Sequence, residues 1–344
     1  MNPEEALLEH GPGRSRIAAF LLSSLSEPTV IKYKAALARL ALSCKEEGVS
    51  FWDLDECSQD WFLAELGLDL FESGAPRGHF AEMLCALLKI NPRLHYKTAW
   101  RVLDVWQQRQ PPHQAPAAPP EALSAISVLL VCAGRSDLGV LVALCYSGLL
   151  RAREGLSLKR RDLVFAPDAA VVILAQTKRG REQRVAFRHP TMRQWLQQYL
   201  QGWVGEADDR LFAVSYNAFL KWLRRAADLL GLEWLGLSTH SLRRSGASEL
   251  SRQGVPLADI IDFGRWSGDR SCREYVRRGE AAIHRARVAS SPELQSRLQT
   301  WAAQAPNAFF WGKSLDALGL PAVREIGIRP EHVKILEFMF SRSM

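Results

Sequence analysis

HSLRRSGASELSRQGVPLADIIDFGRWSGDRSCREY, His240 to Tyr275, is the stretch on which the reading of the whole chain turns. His240 and Arg243 stand three residues apart and so share one face of a helix. Ser238 or Thr239 is suited to cap that helix, Gly254 to end it, and Pro256 to open the next. Gly264-Arg265-Trp266 follows, and Tyr275 comes nine residues after the tryptophan. The pattern predicts a short helix carrying Tyr275, capped by Ser267 and stopped by Gly279. Each piece alone is weak. A second His-x-x-Arg, His284 to Arg287, lies downstream with no Trp and Tyr in register behind it. A tyrosine on a helix is ordinarily half-buried packing, and Trp266 after a glycine also reads as core.

Upstream, Leu149-Leu150-Arg151-Ala152-Arg153-Glu154-Gly155-Leu156 is read as an Arg-x-x-Glu on a helix that follows the apolar run Leu141–Leu150. An arginine there is expensive to bury unless something anionic meets it. Between the two motifs lie three short stretches rich in Val, Ile and Phe: Asp162–Phe165, Ala170–Leu174 and Gln183–Phe187. They predict a small antiparallel sheet. Lys178-Arg179-Gly180 forms a tight-turn sequence between the second and third strands. With Arg181 and Arg184 beside it, that turn also reads as a solvated basic hairpin.

Further out, the chain divides at a proline-rich connector, residues 107–120 (QQRQPPHQAPAAPP), expected to be an extended linker. Residues 14–106 show apolar spacing for helices at Pro28–Lys45, Ser58–Leu66, Phe80–Ile90 and Tyr96–Trp106. Residues 121–290 form the second expected domain, mainly helical around the small sheet. Residues 291–344 are expected to be a helical extension of unassigned role. The formal charge of +7 is uneven: Glu121 to Ser290 holds 26 Lys and Arg against 17 Asp and Glu, a net of +9, which leaves −2 for the rest. A basic surface on one segment suits a polyanionic partner, although it is equally compatible with mere solubility. The six cysteines have no paired spacing and fit a reducing compartment with no structural zinc. No carboxylate cluster suggests a metal site. Met1–His10 lacks the order of a secretory leader, so the chain is not expected to be secreted. The apolar runs Ala122–Ala133 and Leu138–Leu150 are too short to span a bilayer, and no membrane partner is expected.

Taken in order, Arg151 and Glu154, Lys178 in a strand turn, His240 and Arg243, Trp266, then Tyr275 resemble the tyrosine recombinase (phage integrase) family. The stretch from His240 to Tyr275 is similar to the Cre branch in particular, where Trp holds a place that many relatives give to His. The resemblance covers about 170 residues of the second segment and extends weakly over the first, which is similar to the family's DNA-binding core-binding domain. It implies a mainly helical fold with a small antiparallel sheet: a helical core-binding domain plus a catalytic domain of the DNA breaking–rejoining type. It implies site-specific recombination or integration by a DNA strand transferase through a 3′-phosphotyrosyl intermediate. Double-stranded DNA is the partner, a homotetramer forms on paired sites, and no small-molecule cofactor is needed. The compartment would be the cytoplasm or nucleoid of a bacterium, or a eukaryotic nucleus.

The chemistry explains these residue types. Attack on a phosphodiester by Tyr275 passes through a pentavalent state with added negative charge. Two guanidiniums, Arg151 and Arg243, suit bidentate contact with its oxygens. Trp266 offers an indole N–H to the same phosphate. Lys178 can protonate the leaving 5′-oxygen, and His240 can accept the tyrosine proton or bond the phosphate. Glu154 orients neighbours. Arg179, Arg181, Arg244 and Arg265 are candidate DNA-phosphate contacts, although Arg265 stands where an uncharged residue is expected. Two departures stand out: the commoner Gly-x-Arg is here Gly148-Leu149-Leu150-Arg151, and the first 120 residues carry 12 basic against 15 acidic side chains. Type IB topoisomerase-like relaxation and a non-catalytic DNA-binding relative are the rival readings.

Overall fold

The computed structural model describes residues 20, 23–111, 114–175, 182–187, 189–276 and 278–305. The chain forms two compact units, Met1–His113 and Gln114–Met344.

The first unit is built from α1 (Glu27–Glu46), α2 (Glu56–Glu72), α3 (Arg77–Ile90) and α4 (Lys97–Arg109). Its core takes Leu37 and Leu40 from α1, Leu63 from α2, Phe80, Leu84 and Leu87 from α3, and Leu103 and Trp106 from α4. Two polar devices fix its register. Asp60 on α2 accepts the Thr98 and Ala99 N–H groups at 2.8 and 2.9 Å, satisfying donors that the start of α4 leaves open. The buried Tyr96 hydroxyl donates to Gln59 Oε1 at 2.9 Å.

The second unit opens with α5 (Pro120–Cys132) and α6 (Ser136–Ser147). Both are apolar on every side and therefore sit inside the unit. They lie close: a Cβ on Gly139 would fall 2.6 Å from the Ser127 carbonyl oxygen. After α7 (Ala152–Ser157) come β1 (Leu163–Phe165), β2 (Ala170–Leu174) and β3 (Gln183–Phe187), antiparallel in the order β1-β2-β3. Alternation buries Leu163, Ala170, Val172, Leu174, Val185 and Phe187. These strands match the expected ones within a residue. Lys178, Arg179 and Arg181, expected in a tight turn or beside it, lie outside the described residues.

The remaining helices are α8 (Pro190–Gln201), α9 (Tyr216–Leu229), α10 (Thr239–Arg252), α11 (Leu257–Gly264), α12 (Asp269–Arg273), α13 (Arg278–Ala289) and α14 (Pro292–Ala303). Two expected boundaries move. Ala117 and Ala118, read as linker, are buried on the second unit, where the Ala118 N–H meets Ser245 Oγ at 2.7 Å. Leu298 and Trp301 of α14, which fall in the segment expected to be an extension, are part of the second unit's core. Among the described residues, no helix is long and apolar enough to cross a membrane.

Candidate active site

Helix α10 buries an unusual set of side chains: Thr239, Ser241, Ser245, Ser248 and Ser251, together with Arg243 and Arg244. Small residues let it press against the end of α6. A Cβ on Gly246 would lie 2.2 Å from the Tyr146 carbonyl oxygen and 2.5 Å from Leu149 Cδ2. Its start is fixed by Ser238, whose N–H donates to Ser241 Oγ at 3.0 Å. His240 and Arg243 therefore stand on the first turn, on one face.

The chain leaves α6 at Gly148 and turns through Leu149 with φ +48, a left-handed conformation that a non-glycine residue seldom adopts. The Leu149 carbonyl oxygen accepts bonds from Arg243 Nη1 and, at 3.0 Å, from Arg265 Nη2. Arg151 is the N-cap of α7, with extended backbone, and not a residue within the helix as the sequence suggested. Glu154 folds back on it, accepting the Arg151 N–H at 2.8 Å and Nη1 at 2.5 Å. The Arg-x-x-Glu is therefore a capping arrangement, which places the carboxylate at the positive end of α7.

Arg243 is 1% exposed. Its Nη1 and Nη2 donate to the carbonyl oxygens of Leu149 and Gly264, while Nε is buried without a partner. The guanidinium carbon lies 4.3 Å from the centre of the Trp266 ring and 5.6 Å from that of Tyr275. Burial first, and then the charges of Arg151 and Arg265, pull its pKa down to about 9, so it remains a cation at neutral pH. Trp266 presents its face to this guanidinium and lies flat over Gly264, where an added Cβ would fall 1.8 Å from the indole. It also packs with Leu149, Ala247, Ile260 and Cys272, as the core reading expected.

Helix α12 begins after Gly268, not Ser267, and stops at Arg273, two residues short of Tyr275; Gly279 lies within α13 and stops nothing. Tyr275 instead follows a turn. Its N–H donates to the Cys272 carbonyl at 2.8 Å, and its own carbonyl accepts from Ser248 Oγ at 3.2 Å. The phenol ring is half-buried, 5.2 Å from Trp266 and 5.6 Å from each of the Arg243 and Arg244 guanidinium carbons. Arg244 also donates to Gln114 Oε1 at 2.9 Å. His240 opens to solvent at the rim. The atoms crowded around it, and then Arg243, Arg151 and Arg244, lower its pKa below the usual histidine value, which leaves a neutral imidazole able to accept a proton at pH 7.

Arg265, expected among the DNA-phosphate contacts, points inward. Its side chain is 6% exposed and pairs with Glu154 Oε2 at 3.0 Å. Burial pushes the Glu154 carboxyl upward, but the Arg151 N–H bond and the Arg265 charge outweigh it and hold the group below the usual range. The second His-x-x-Arg has other partners: His284 Nδ1 lies 2.8 Å from the Ala117 carbonyl oxygen, and Arg287 lies 4.0 Å over Trp234. Among the described residues, no group of His, Cys, Asp and Glu is placed to hold a metal ion. The Leu149 carbonyl, which unites two arginines, is the feature that motif reading missed. Its only trace in the sequence is the departure from Gly-x-Arg.

Residues 130–281 match the family model of the phage integrase family. Among solved structures, the XerH site-specific recombinase bound to palindromic difH substrate, in a post-cleavage complex, aligns with a TM-score of 0.60 at 15% identity, over 83% of this chain and 96% of that one. The Tn1549 transposon integrase in complex with circular intermediate DNA aligns at 0.52 and 13% identity, over 80% of this chain and 99% of that one. No match is found among curated proteins. The family match encloses Arg151, Glu154, His240, Arg243, Trp266 and Tyr275, and the mainly helical fold with its three-stranded sheet is shared with both neighbours: residues 130–281 are a domain of the phage integrase family.

Proposed function

We propose that this protein carries out site-specific DNA recombination, with Tyr275 as the nucleophile. The observation that carries this reading is electrostatic. Three guanidiniums, of Arg151, Arg243 and Arg265, gather around one carboxylate, Glu154, beside a half-exposed phenol. Such an excess of positive charge is costly in a partly buried site until an anion enters. A DNA phosphate is an anion of suitable size, and the buried, unpartnered Arg243 Nε is a donor left open.

The phenol oxygen of Tyr275 bonds to phosphorus as the bond from phosphorus to the 5′-oxygen breaks. His240 takes the phenol proton or bonds the phosphate, Arg151 and Arg243 balance the added negative charge, and Trp266 holds Arg243 in place. Lys178, assigned by resemblance to the turn between β2 and β3, protonates the departing 5′-oxygen. A 5′-hydroxyl from a partner strand then attacks the phosphotyrosine and reverses the step, so no external energy source is consumed. XerH and the Tn1549 integrase were solved with DNA substrates, and double-stranded DNA is the partner proposed here. Exchange between two duplexes cuts four strands, which calls for a homotetramer on paired sites. The first unit serves as the DNA-embracing core-binding domain. The protein works where DNA is kept, in a bacterial nucleoid or a eukaryotic nucleus.

The test is a pool of nicked duplexes of varied sequence, in which the cleaved fragment diffuses away and traps the covalent state. A protein–DNA adduct is expected, and sequencing its DNA reads out the target. Tyr275→Phe should form none. An adduct that persists in the Phe variant reassigns the nucleophile.

A further inference from the structure

We propose that Arg265 is a positioning residue that ties the two phosphate-clamping arginines into one unit. It caps the C-terminus of α11 at φ +61, a conformation best filled by glycine. Placing any other L-residue there costs about 1–2 kcal/mol. The backbone alone gives no reason for arginine, so the reason lies in the side chain. Nη1 donates to the carbonyl oxygens of Phe263 at 3.2 Å and Gly148 at 3.3 Å. Nη2 donates to the Leu149 carbonyl and to Glu154 Oε2, both at 3.0 Å.

Those last two acceptors are also what hold the catalytic arginines. Glu154 takes the N–H and Nη1 of Arg151, and the Leu149 carbonyl takes Nη1 of Arg243. Arg265 is the one side chain, among the described residues, that bonds to both supports. Without it, Glu154 and the Leu149 turn are free to shift independently, and the two guanidiniums lose their common reference. What sets Arg265 apart from the likewise buried Arg243 is its bond to Glu154 as well as to the Leu149 carbonyl, and through these two supports it acts one layer behind the phosphate. The assignment rests on the reading that Arg151 and Arg243 clamp the scissile phosphate.

The experiment is a double-mutant cycle on single-turnover cleavage of the nicked duplex, with the duplex's affinity measured in parallel. Arg265→Gly removes the side chain while suiting the left-handed backbone. It should slow adduct formation about 100-fold, the order expected for a displacement near 1 Å, and change DNA affinity by less than about twofold. In an Arg151→Lys background the same substitution should cost less than about tenfold, because one of the two groups it positions is already lost and only the placement of Arg243 remains. Cleavage by Arg265→Gly within about threefold of wild type overturns the proposal. So does a full 100-fold loss in the Arg151→Lys background, which marks general destabilisation, or a loss of affinity that matches the loss of rate, which marks a direct phosphate contact. Where Arg265→Gly does not fold, Arg265→Lys runs through the same cycle with the same criteria. A wild-type protein that forms no adduct overturns the recombinase reading and this proposal together; a competent wild type with an insensitive variant overturns this proposal alone.

Discussion

Replacing Gly264 by alanine asks whether the Trp266 ring sets the register between Arg243 and Tyr275. A methyl group at that position would lie 1.8 Å from Cζ3, 2.2 Å from Cε3 and 2.6 Å from Cη2 of the indole. Carbon atoms in ordinary contact stand about 3.5–4.0 Å apart, so the ring must withdraw by about 2 Å. It has no slack to do so alone: the Arg243 guanidinium carbon is 4.3 Å from its centre, and the Tyr275 ring is 5.2 Å away. The displacement passes to Arg243 and Tyr275. Since a misplacement of about 1 Å can lower a rate about 100-fold, single-turnover cleavage of a nicked duplex should fall by at least that factor. Overpacking should destabilise the fold by about 1–3 kcal/mol, too little to unfold an ordinary domain. The three clashing atoms belong to the six-membered part of the indole, so Gly264→Ala combined with Trp266→His should recover at least about tenfold of the lost rate, along with melting temperature. Cleavage by the single variant within about threefold of wild type refutes the reasoning. A double variant that regains its melting temperature but none of its rate refutes it as well.

Two further outcomes follow from the same geometry. His240 is neutral at pH 7 and its pKa lies below the usual value, so the cleavage rate should rise with pH through an inflection below about 6.5 and level off above it; His240→Asn should remove that acid limb and lower the plateau by about 100-fold, and an unchanged inflection in the variant would exclude His240 as its source. Trp301 is fully buried with α14 in the core of the second unit, so Trp301→Ala should destabilise the full chain by about 3–5 kcal/mol in denaturant unfolding; a change below about 1 kcal/mol would return α14 to the status of an appendage.

The strands and helices were legible in the sequence because period-two and period-3.6 patterns report which face is buried. The separation of Arg243 from Trp266 and Tyr275 was legible as spacing but not as contact. The helix boundaries around Tyr275 were not legible, since Ser267 and Gly268 are both acceptable starts and the turn after Arg273 is fixed by Ser248 and Cys272 from the surrounding fold. Arg151 was misplaced by one structural position because an arginine is a poor N-cap by statistics, and only the return of Glu154 onto its N–H reveals the cap. Arg265 was unreadable for a different reason. Its sequence neighbourhood is basic and looks like a DNA-facing surface, yet its partners Gly148, Leu149 and Glu154 lie more than a hundred residues away. Charge counted along a chain does not tell an inward guanidinium from an outward one.

That inward charge alters the electrostatic argument for catalysis. With Glu154 counted against Arg151, Arg243 and Arg265, the cluster carries a net of about two positive charges. A phosphodiester brings one negative charge, and the pentavalent state brings about two. The first charge is met in the bound ground state and contributes to affinity. Only the second is met in the transition state, and only it accelerates cleavage. A unit charge about 4 Å away, at the effective dielectric of a partly solvated site, interacts by about 4 kcal/mol. That corresponds to about a thousandfold in rate. A site of net +1 would neutralise the ground state and leave nothing for the added charge. The salt bridge of Arg265 with Glu154 holds the Arg151 cap and the Leu149 turn together, so its part in this balance is the placement of Arg151 and Arg243.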